Sequence, residues 1–448
     1  MHIDFLKRVF EKNKGKNALV WRDEVRSYGW LLERLSFWRG EVKQKGVSSG
    51  SIVALEGDFS PTSIALLLAL IEESCIVVPL LTTLTQTQRS KIFEIAQVEA
   101  TFRVGEDDEV HAERLTRTAK HPFFEILREQ RHPGLVLFTS GTSGEPKAAV
   151  HDFLALMEKF KKQRKSLRIL NFLLFDHWGG LNTVFHTLSN AGVVITVSDR
   201  SPDNICRAIE KHQIEVLPTS PTFLNLLLIH EAYKRHDLSS LKIISYGTEP
   251  MPLSTLKTMK SLFPKVKLQQ TYGLIELGVM RSKSKSNDSL WVKVGGEDFQ
   301  TRVVDGILQI KAESAMLGYL NAPNPFTEDG WFDTGDSVEV DGEYIKILGR
   351  QSEIINVGGE KVYPTEVENV IQGLDNVSEV TVYGEKNPIT GSIVCANVTL
   401  QHREDVKKFV LRLNQACRER LQEHKVPIKV NVVKEALHSE RFKKNRVV

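Results

Sequence analysis

Short apolar segments rich in β-branched residues alternate with helical segments along the first 250 residues of the chain. Segments 51–55, 76–80, 192–197, 214–218 and 241–245 have the composition of buried strands, and the stretches between them carry helical patterns. Parallel strands need crossover connections, which are usually helices that cover both faces of the sheet. The alternation therefore predicts an α/β fold in which parallel-rich sheets are covered by helices.

The chain changes character after about residue 290. Short strands such as 306–311 and 342–348 are separated by Gly, Asp and Pro turns, which predicts a small β-rich subdomain. Strands and helices then mix in the last hundred residues, which favours a small α+β domain. Because 448 residues exceed the size that a single core reaches, we predict a large N-terminal domain over 1–349 and a small C-terminal domain over 350–448.

Composition excludes several classes of protein. The 59 basic and 56 acidic residues are too evenly balanced to indicate nucleic-acid binding. Four cysteines without CxxC spacing indicate neither a zinc site nor a disulfide framework, which favours a cytoplasmic location. The longest apolar run, 64–71, is too short for a membrane span, so no membrane insertion is expected. The sequence is compatible with a homodimer.

A predicted strand at 135–138 runs into a loop of glycines, hydroxyl residues and one lysine. Glycines let backbone N–H groups converge on an anion, hydroxyls can donate to phosphoryl oxygens, and Lys147 adds a cation. It is not a Walker loop, because Pro146 precedes the lysine. Composition alone also fits a solvated turn. The candidate phosphate-binding residues are Thr139, Ser140, Gly141, Thr142, Ser143, Gly144 and Lys147.

The complete string resembles the signature loop of the adenylate-forming superfamily, which comprises acyl- and aryl-CoA synthetases, the adenylation domains of peptide synthetases and the beetle luciferases. Further motifs follow in the family's order. The segment 246–250 resembles the loop against which adenine and the acyl group lie. This resemblance implies nucleotide-binding roles for Gly247, Thr248 and Glu249, and a glycine at a strand end lets a flat ring approach the backbone.

The segment 270–276 resembles the family motif that places an aromatic residue near adenine and a glutamate on magnesium. The resemblance implies that Tyr272 and Gly273 bind the nucleotide and that Glu276 ligates Mg²⁺ together with Thr142. Carboxylate and hydroxyl oxygens are hard ligands of the kind Mg²⁺ requires. Ile275 stands where the family usually has threonine.

The segment 330–336 resembles the motif whose final aspartate, here Asp336, accepts hydrogen bonds from both ribose hydroxyls. The segment 349–353 resembles the domain junction. There the resemblance implies that Arg350 reaches the ribose and that Ser352 is the hinge, although Asp or Lys is usual at the hinge.

The segment 356–368 resembles the acyl-CoA synthetase version of the next motif, whose glycines, here Gly358 and Gly359, line the thiol tunnel after the lid rotates. Without the resemblance the same residues read as a glycine hairpin before a helix that begins at Pro364. The segment 442–446 resembles the family's C-terminal Gly-Lys-x-x-Arg. Lys443 is in the catalytic register, and Phe442 replaces the glycine.

His177 resembles the histidine that gates the acyl pocket in CoA-synthetase and luciferase members, whereas a lone histidine beside aromatic residues is otherwise more often packed. Asp176 fits a second reading, because amino-acid-activating members use a Phe-Asp pair to hold the substrate amine. The alignment in which His177 is the gating histidine is favoured by the residues that follow it, Trp178, Gly179 and Gly180.

The expected function is ATP-dependent activation of a carboxylic acid, a small-molecule substrate, as acyl-AMP with release of pyrophosphate, followed by transfer to CoA. Attack on the α-phosphate builds negative charge, so positive charge must be placed there. Mg²⁺ on Glu276, Lys443 and the loop N–H groups would supply it. The resemblance implies a mobile C-terminal lid that swings about Ser352, withdraws Lys443 and brings in Gly358 and Gly359.

Two alternatives remain open. The acyl or aminoacyl group could be loaded onto the phosphopantetheine of an acyl carrier protein, which uses the same first step. A non-catalytic nucleotide-binding scaffold is motivated by the departures at Ile275, Ser352 and Phe442. Against the scaffold, the charged residues that the chemistry needs are all present: Lys147, Glu276, Asp336, Arg350 and Lys443.

Overall fold

The computed structural model describes residues 2–139, 145–296 and 298–446. Its helices are α1 (Asp4–Lys12), α2 (Tyr28–Gln44), α3 (Pro61–Glu72), α4 (Gln86–Ile95), α5 (Pro122–Gln130), α6 (Phe153–Met157), α7 (Trp178–Ser189), α8 (Pro202–His212), α9 (Pro221–His230), α10 (Leu253–Leu262), α11 (Pro364–Gln372) and α12 (Val406–Arg420).

The strands are β1 (Asn17–Trp21), β2 (Glu24–Ser27), β3 (Ile52–Glu56), β4 (Ile76–Leu80), β5 (Ala100–Val104), β6 (Val110–Arg114), β7 (Gly134–Thr139), β8 (Lys147–Asp152), β9 (Arg168–Leu170), β10 (Val193–Thr196), β11 (Val216–Thr219), β12 (Ile243–Tyr246), β13 (Lys267–Gln270), β14 (Gly273–Leu274), β15 (Gly278–Val279), β16 (Ser282–Ser284), β17 (Val292–Val294), β18 (Phe299–Val304), β19 (Ile307–Ala312), β20 (Gly318–Tyr319), β21 (Phe332–Asp341), β22 (Tyr344–Arg350), β23 (Ile355–Val357), β24 (Glu360–Val362), β25 (Val377–Asn387), β26 (Gly391–Leu400) and β27 (Lys429–Val432).

Two parallel-rich sheets form the larger part of the molecule. The first sheet has the order β13-β12-β11-β9-β10-β1-β2, and only β2 runs antiparallel to its neighbour. The second has the order β20-β8-β7-β4-β3-β5-β6, with a parallel centre and antiparallel edges. The predicted α/β fold with parallel-rich sheets is confirmed.

Helices α3 and α7 belong to one core cluster that includes residues of both sheets. Every residue of α3 is buried, and a helix that is apolar all round needs neighbours on every side. The hydroxyl of Ser60 accepts a hydrogen bond from the Ser63 amide at the start of α3, and Pro61 occupies its first turn. This packing fixes α7, whose N-terminus carries His177, against both sheets.

The predicted β-rich subdomain is a six-stranded antiparallel sheet in the order β16-β17-β22-β21-β19-β18. After Arg350 a separate sheet forms from β24-β23-β26-β25, with β27 parallel to β26, and it shares a core with α11 and α12. A large N-terminal domain and a C-terminal domain are therefore confirmed. Their boundary at residues 349 and 350 stays a prediction.

All four cysteines are buried and unpaired. Burial raises the pKa of every one of these thiols, to about 12 for Cys206 and about 11 for Cys417. Among the described residues, no helix is both long and apolar enough to cross a bilayer.

Candidate active site

The predicted phosphate loop connects two antiparallel neighbours, β7 and β8. Thr139 and Lys147 pair across this hairpin, so the sheet fixes both ends of the loop. Nζ of Lys147 lies 5.6 Å from the centre of the Tyr319 ring. Five residues of the predicted loop lie outside the described part of the chain: Ser140, Gly141, Thr142, Ser143 and Gly144. Their phosphate-binding roles, and the metal-binding role of Thr142, stay predictions.

The predicted adenine loop begins at the carboxyl end of β12, beside the carboxyl end of β13. Ligands of α/β sheets bind beyond this edge. A Cβ atom on Gly247 would lie 2.6 Å from Oγ1 and 2.7 Å from the carbonyl oxygen of Thr271. Only glycine therefore fits where the two strand ends converge, next to Tyr272.

Gly247→Ala is expected to lower the free energy of unfolding by about 1–3 kcal/mol, because the added methyl overlaps the backbone of Thr271. ATP binding should weaken as well, since Thr271 precedes Tyr272. Denaturant unfolding and isothermal titration calorimetry measure the two effects. Gly15→Ala is the matched control, because no atom lies within 4 Å of a Cβ there. Equal stability of the two variants would contradict the steric explanation.

Thr248 and Glu249 lie directly at the junction of the two domains. Thr248 has a φ of 75°, in the left-handed region. The Glu249 carboxylate accepts one hydrogen bond from the Thr222 amide (2.7 Å), at the start of α9, and one from the Lys444 amide (3.1 Å) of the C-terminal domain. Glu249 thus links the domains, and its role in nucleotide binding stays a prediction.

The predicted ribose residues form one network. Asp336 and Arg350 pair across β21 and β22, and Arg350 Nε lies 2.9 Å from Asp336 Oδ1. The Tyr272 hydroxyl donates to the other carboxylate oxygen of Asp336, and Arg350 Nη1 donates to the Thr334 carbonyl at 2.7 Å. The structure therefore brings together three residues, each of which a different sequence motif indicated.

Burial sets the protonation of this network. It raises the pKa of the Asp336 carboxyl, against the opposing effect of Arg350. Burial and the neighbouring Asp336 hold the pKa of Tyr272 well above its ordinary value, so the phenol stays protonated and can donate. The nearly buried carboxylate is thus oriented by two donors at the carboxyl edge of the first sheet.

Glu276 lies between β14 and β15 and shares a neighbour, Tyr319, with Lys147. The Tyr319 hydroxyl donates to Glu276 Oε1 at 2.6 Å, and the Met316 amide donates to the Glu276 carbonyl at 2.8 Å. Its side chain is a half-buried carboxylate, and the same Tyr319 ring lies under Lys147. The described residues hold no cluster of three metal-ligating side chains. One oriented carboxylate nevertheless fits Mg²⁺ that is bound mainly through phosphates.

Tyr319→Phe is expected to weaken binding of Mg²⁺·ATP by about tenfold, because residues that orient a metal ligand typically contribute this much. Calorimetric titration with ATP, with and without Mg²⁺, measures the effect. ATP without the metal should bind equally to both proteins. Tyr344→Phe, whose ring lies near Lys285, is the control. The same loss with and without Mg²⁺ would show that the hydroxyl does not act through the metal ligand.

His177 caps the N-terminus of α7. Its Nδ1 accepts a hydrogen bond from the Gly179 amide at 3.0 Å. Burial, with Lys443 and Arg441 nearby, lowers the pKa of His177 well below its ordinary value, so the ring is neutral and carries its proton on Nε2. A Cβ on Gly180 would lie 2.4 Å from the Leu174 carbonyl oxygen, so this glycine permits the tight turn into α7.

A cavity between the domains lies beside His177. Its lining includes His177 and Thr248 of the N-terminal domain and Arg441, Phe442 and Lys443 of the C-terminal domain. Burial, reinforced by Arg441, lowers the pKa of Lys443, and the carboxylates of Glu249 and Asp176 oppose this shift. The structure thus brings two of the predicted catalytic residues, His177 and Lys443, to one cleft.

The residues after Lys443 are fixed to their own domain by a buried carboxylate. Glu368 of α11 accepts hydrogen bonds from Lys444 Nζ at 2.9 Å and from Arg446 Nε and Nη2 at 2.9 and 3.0 Å. The two cations lower the pKa of Glu368 to about 2, although burial opposes them. Arg446 also donates to Glu353 at 2.7 Å, next to the predicted hinge.

The predicted hinge and thiol-tunnel residues lie outside this cleft. Ser352 is exposed in a single 3₁₀ turn after Arg350. Gly358 and Gly359 form the exposed two-residue turn between β23 and β24, with φ of 61° and 93°. A turn of this kind strongly favours glycine. Their predicted roles as hinge and thiol tunnel stay predictions. These roles concern rotation of the C-terminal domain to an orientation other than the present one.

Sequence patterns did not identify several residues of the site. Tyr319 is 43 positions from Glu276 along the chain, and Arg441 is 265 positions from its partner Asp176. Neither Tyr319 nor Arg441 lies in a local pattern that indicates chemistry. The pairing of β20 with β8 brings Tyr319 near Lys147.

Known proteins with similar sequences include two bacterial ligases. The indoleacetate–CoA ligase of Aromatoleum aromaticum is 26% identical over 93% of this chain and 91% of that protein. The 2-succinylbenzoate–CoA ligase of Bacillus licheniformis is 25% identical over 95% of each.

Solved structures with the same fold include the anthranilate CoA ligase AuaEII in complex with anthranoyl-AMP, with a TM-score of 0.84, 18% identity and coverage of 99% of this chain and 95% of that one. ATP-bound MatB from Rhodopseudomonas palustris has a TM-score of 0.81 and 21% identity, with coverage of 98% and 97%. At these identities the likeness establishes the fold.

Family models match both parts of the chain. The model of the AMP-binding enzyme matches residues 6–303, which is more than half of the chain. The model of the AMP-binding enzyme C-terminal domain matches residues 366–444, which include Glu368 and Lys443. This chain therefore belongs to the AMP-binding enzyme family.

Proposed function

We propose that this chain is an AMP-forming acid–thiol ligase that converts ATP and a carboxylic acid into acyl-AMP and pyrophosphate, and then transfers the acyl group to CoA. Membership of the AMP-binding enzyme family and the similarity to CoA ligases along nearly the whole chain support this function. ATP, Mg²⁺, a carboxylic acid and CoA are the proposed ligands.

The position of Lys443 supports the first half-reaction most directly. Lys443 is half-buried and lines the interdomain cavity with His177, on the proposed acyl side, and the charge of Arg350, on the ribose side, is near enough to lower its pKa. Arg350 interacts in turn with Glu276. Lys443 therefore places a cation at the proposed acyl site and within electrostatic range of the ribose network, where we propose that the α-phosphate meets a carboxylate.

In the first half-reaction a carboxylate oxygen attacks the α-phosphorus of ATP. The bond from this phosphorus to the oxygen that bridges to the β-phosphate breaks, and pyrophosphate leaves with the electron pair. Negative charge builds up around phosphorus, and the Lys443 ammonium stabilises it. Bound Mg²⁺ would neutralise charge on the phosphates, and Glu276 would hold it.

In the second half-reaction the sulfur of a thiolate attacks the acyl carbon, the bond from that carbon to the AMP oxygen breaks, and AMP leaves. In the present domain orientation Lys443 occupies the cleft, whereas Gly358 and Gly359 lie at the surface. We therefore propose that the C-terminal domain, residues 350–448, rotates about Ser352 between the two half-reactions. The phosphopantetheine of a carrier protein is the alternative acceptor.

Purified protein should be incubated with ATP, Mg²⁺ and a library of carboxylic acids, with hydroxylamine to trap acyl-AMP and a pyrophosphate assay in parallel. Acid-dependent hydroxamate and pyrophosphate are expected, followed by a thioester when CoA replaces hydroxylamine. A thioester with a carrier protein but not with CoA would favour the alternative acceptor. Absence of pyrophosphate with every acid would overturn the function and favour a scaffold.

The oligomeric state and the location in the cell stay predictions. A homodimer would be tested by light scattering during size-exclusion chromatography, and a cytoplasmic location by fractionation of the source cells.

A further inference from the structure

The two residues that precede Lys443 dock on the N-terminal domain. Arg441 Nη2 lies 2.6 Å from Asp176 Oδ2. The Phe442 ring packs between two aromatic residues, with ring centres 5.3 Å from Phe172 and 5.5 Å from Phe223. The lid tip, defined here as residues 441–443, is therefore held across the domain interface by one ion pair and two aromatic contacts.

Phe442 adopts a backbone conformation that glycine adopts more readily. Its φ is 52°, in the left-handed region, where the Cβ of other residues approaches the backbone too closely. On its own domain the ring stacks on His438, with centres 5.9 Å apart and planes 11° apart. The phenylalanine thus keeps the turn that precedes Lys443 and adds an interdomain contact that glycine cannot make.

Asp176 depends on the lid tip for its counterion. Its side chain is only 12% exposed, and its Oδ1 is buried without a hydrogen-bond partner among the described residues. Burial raises the pKa of this carboxyl, and Arg441 opposes that shift. Withdrawal of the lid would leave Asp176 without this partner, so the ion pair belongs to the present orientation alone.

We propose that Asp176, Arg441 and Phe442 are positioning residues that hold Lys443 for acyl-AMP formation and do not assist thioester formation. This inference rests on the proposed function. On the N-terminal side of Lys443, Arg441 and Phe442 fix the backbone to the N-terminal domain. On its C-terminal side, the ion pair of Lys444 with Glu368 fixes the backbone to the C-terminal domain. The backbone is therefore constrained on both sides of Lys443, which keeps this residue at the cleft.

The first test is a double-mutant cycle with Asp176→Asn, Arg441→Gln and the double variant. Acyl-AMP formation is followed by ATP–pyrophosphate exchange, and thioester formation by adding synthetic acyl-AMP and CoA. Each single variant should lower the exchange rate by roughly 10- to 100-fold, the range expected when a catalytic group is displaced by about 1 Å. The rate of thioester formation should stay within about twofold of the wild-type rate. The exchange rate of the double variant should equal that of the less active single variant, because the two residues act as a unit.

The second test uses Phe442→Gly, which removes the aromatic contact and restores the residue typical of the resembling family. Acyl-AMP formation should fall, although the backbone strain is relieved. Hydrogen exchange in the segment 172–177 should accelerate in this variant and in Arg441→Gln, because the tip no longer covers that segment. Asp203→Asn is the matched control, since it removes a carboxylate that pairs with Arg207 and Arg235 on the exposed surface.

Equal loss of both half-reactions, strictly additive effects in the cycle, or unchanged hydrogen exchange in 172–177 would each overturn the inference. Thermal unfolding identifies a variant that fails to fold, and Asp176→Asn then serves alone because it preserves side-chain shape. If the wild-type protein forms no acyl-AMP with any acid, the proposed function fails. Hydrogen exchange would still decide whether Arg441 and Phe442 hold the lid tip.

Discussion

Lys443→Ala should lower the rate of acyl-AMP formation by about 100- to 1000-fold, the typical loss when a group that stabilises transition-state charge is removed. Lys443 supplies a half-buried cation in the cleft beside His177, and the charge of Arg350 is near enough to lower its pKa. Thioester formation from supplied acyl-AMP should continue, because the proposed second orientation withdraws this lysine. Pyrophosphate exchange and a thioester assay measure the two steps. Equal loss of both would contradict the two-orientation scheme.

Lys443→Arg provides the control for charge. Burial lowers the pKa of Lys443, and only its protonated form stabilises the developing charge. Acyl-AMP formation in the wild type should therefore decline as pH rises through this lowered pKa. Arginine stays protonated, so the decline should move to higher pH in the variant even if its maximal rate is lower. Identical pH profiles would assign the decline to another group.

Asp336→Asn should weaken ATP binding by about 10- to 100-fold, because Asp336 is predicted to accept two hydrogen bonds from the ribose, the amide keeps only one acceptor oxygen, and a hydrogen bond to a charged group contributes roughly 1.5–3 kcal/mol. In the structure the Tyr272 hydroxyl and the Arg350 guanidinium orient this carboxylate. Calorimetry with ATP measures the loss. Asp333→Asn, an exposed position on the same strand, is the matched control.

The ribose assignment has its own test with modified nucleotides. The wild type should bind ATP more tightly than 2′,3′-dideoxy-ATP, whereas Asp336→Asn should bind the two almost equally. If the substitution weakens both nucleotides by the same factor, Asp336 supports the site without contacting the ribose hydroxyls.

Local sequence patterns predicted the architecture well. The strand expected at 76–80 is β4, and those expected at 51–55 and 241–245 begin one and two residues later as β3 and β12. Strands β3 and β4 are buried on both faces, so their β-branched composition follows directly from their position. The helix expected from Pro364 is α11, because proline is favoured in a first turn.

The sequence could not predict contacts that depend on how distant segments meet. The motifs pointed to Asp336, Tyr272 and Arg350 one at a time, and the strand register shows that they form one network. Phe442 was visible only as a departure from a motif. In the folded protein Phe442 has a left-handed backbone conformation and packs on Phe172 and Phe223 across the domain interface. These contacts give a physical reason for the phenylalanine, and the sequence alone does not show them.

The four buried cysteines make this protein a convenient background for site-specific fluorescent labels. Maleimide dyes react with accessible thiolates, which deeply buried thiols of raised pKa do not provide. Ile389 lies in a turn of the C-terminal domain and is 90% exposed. A cysteine introduced there would take the dye in preference to the native thiols, so domain rotation could be followed by fluorescence without first deleting any native cysteine.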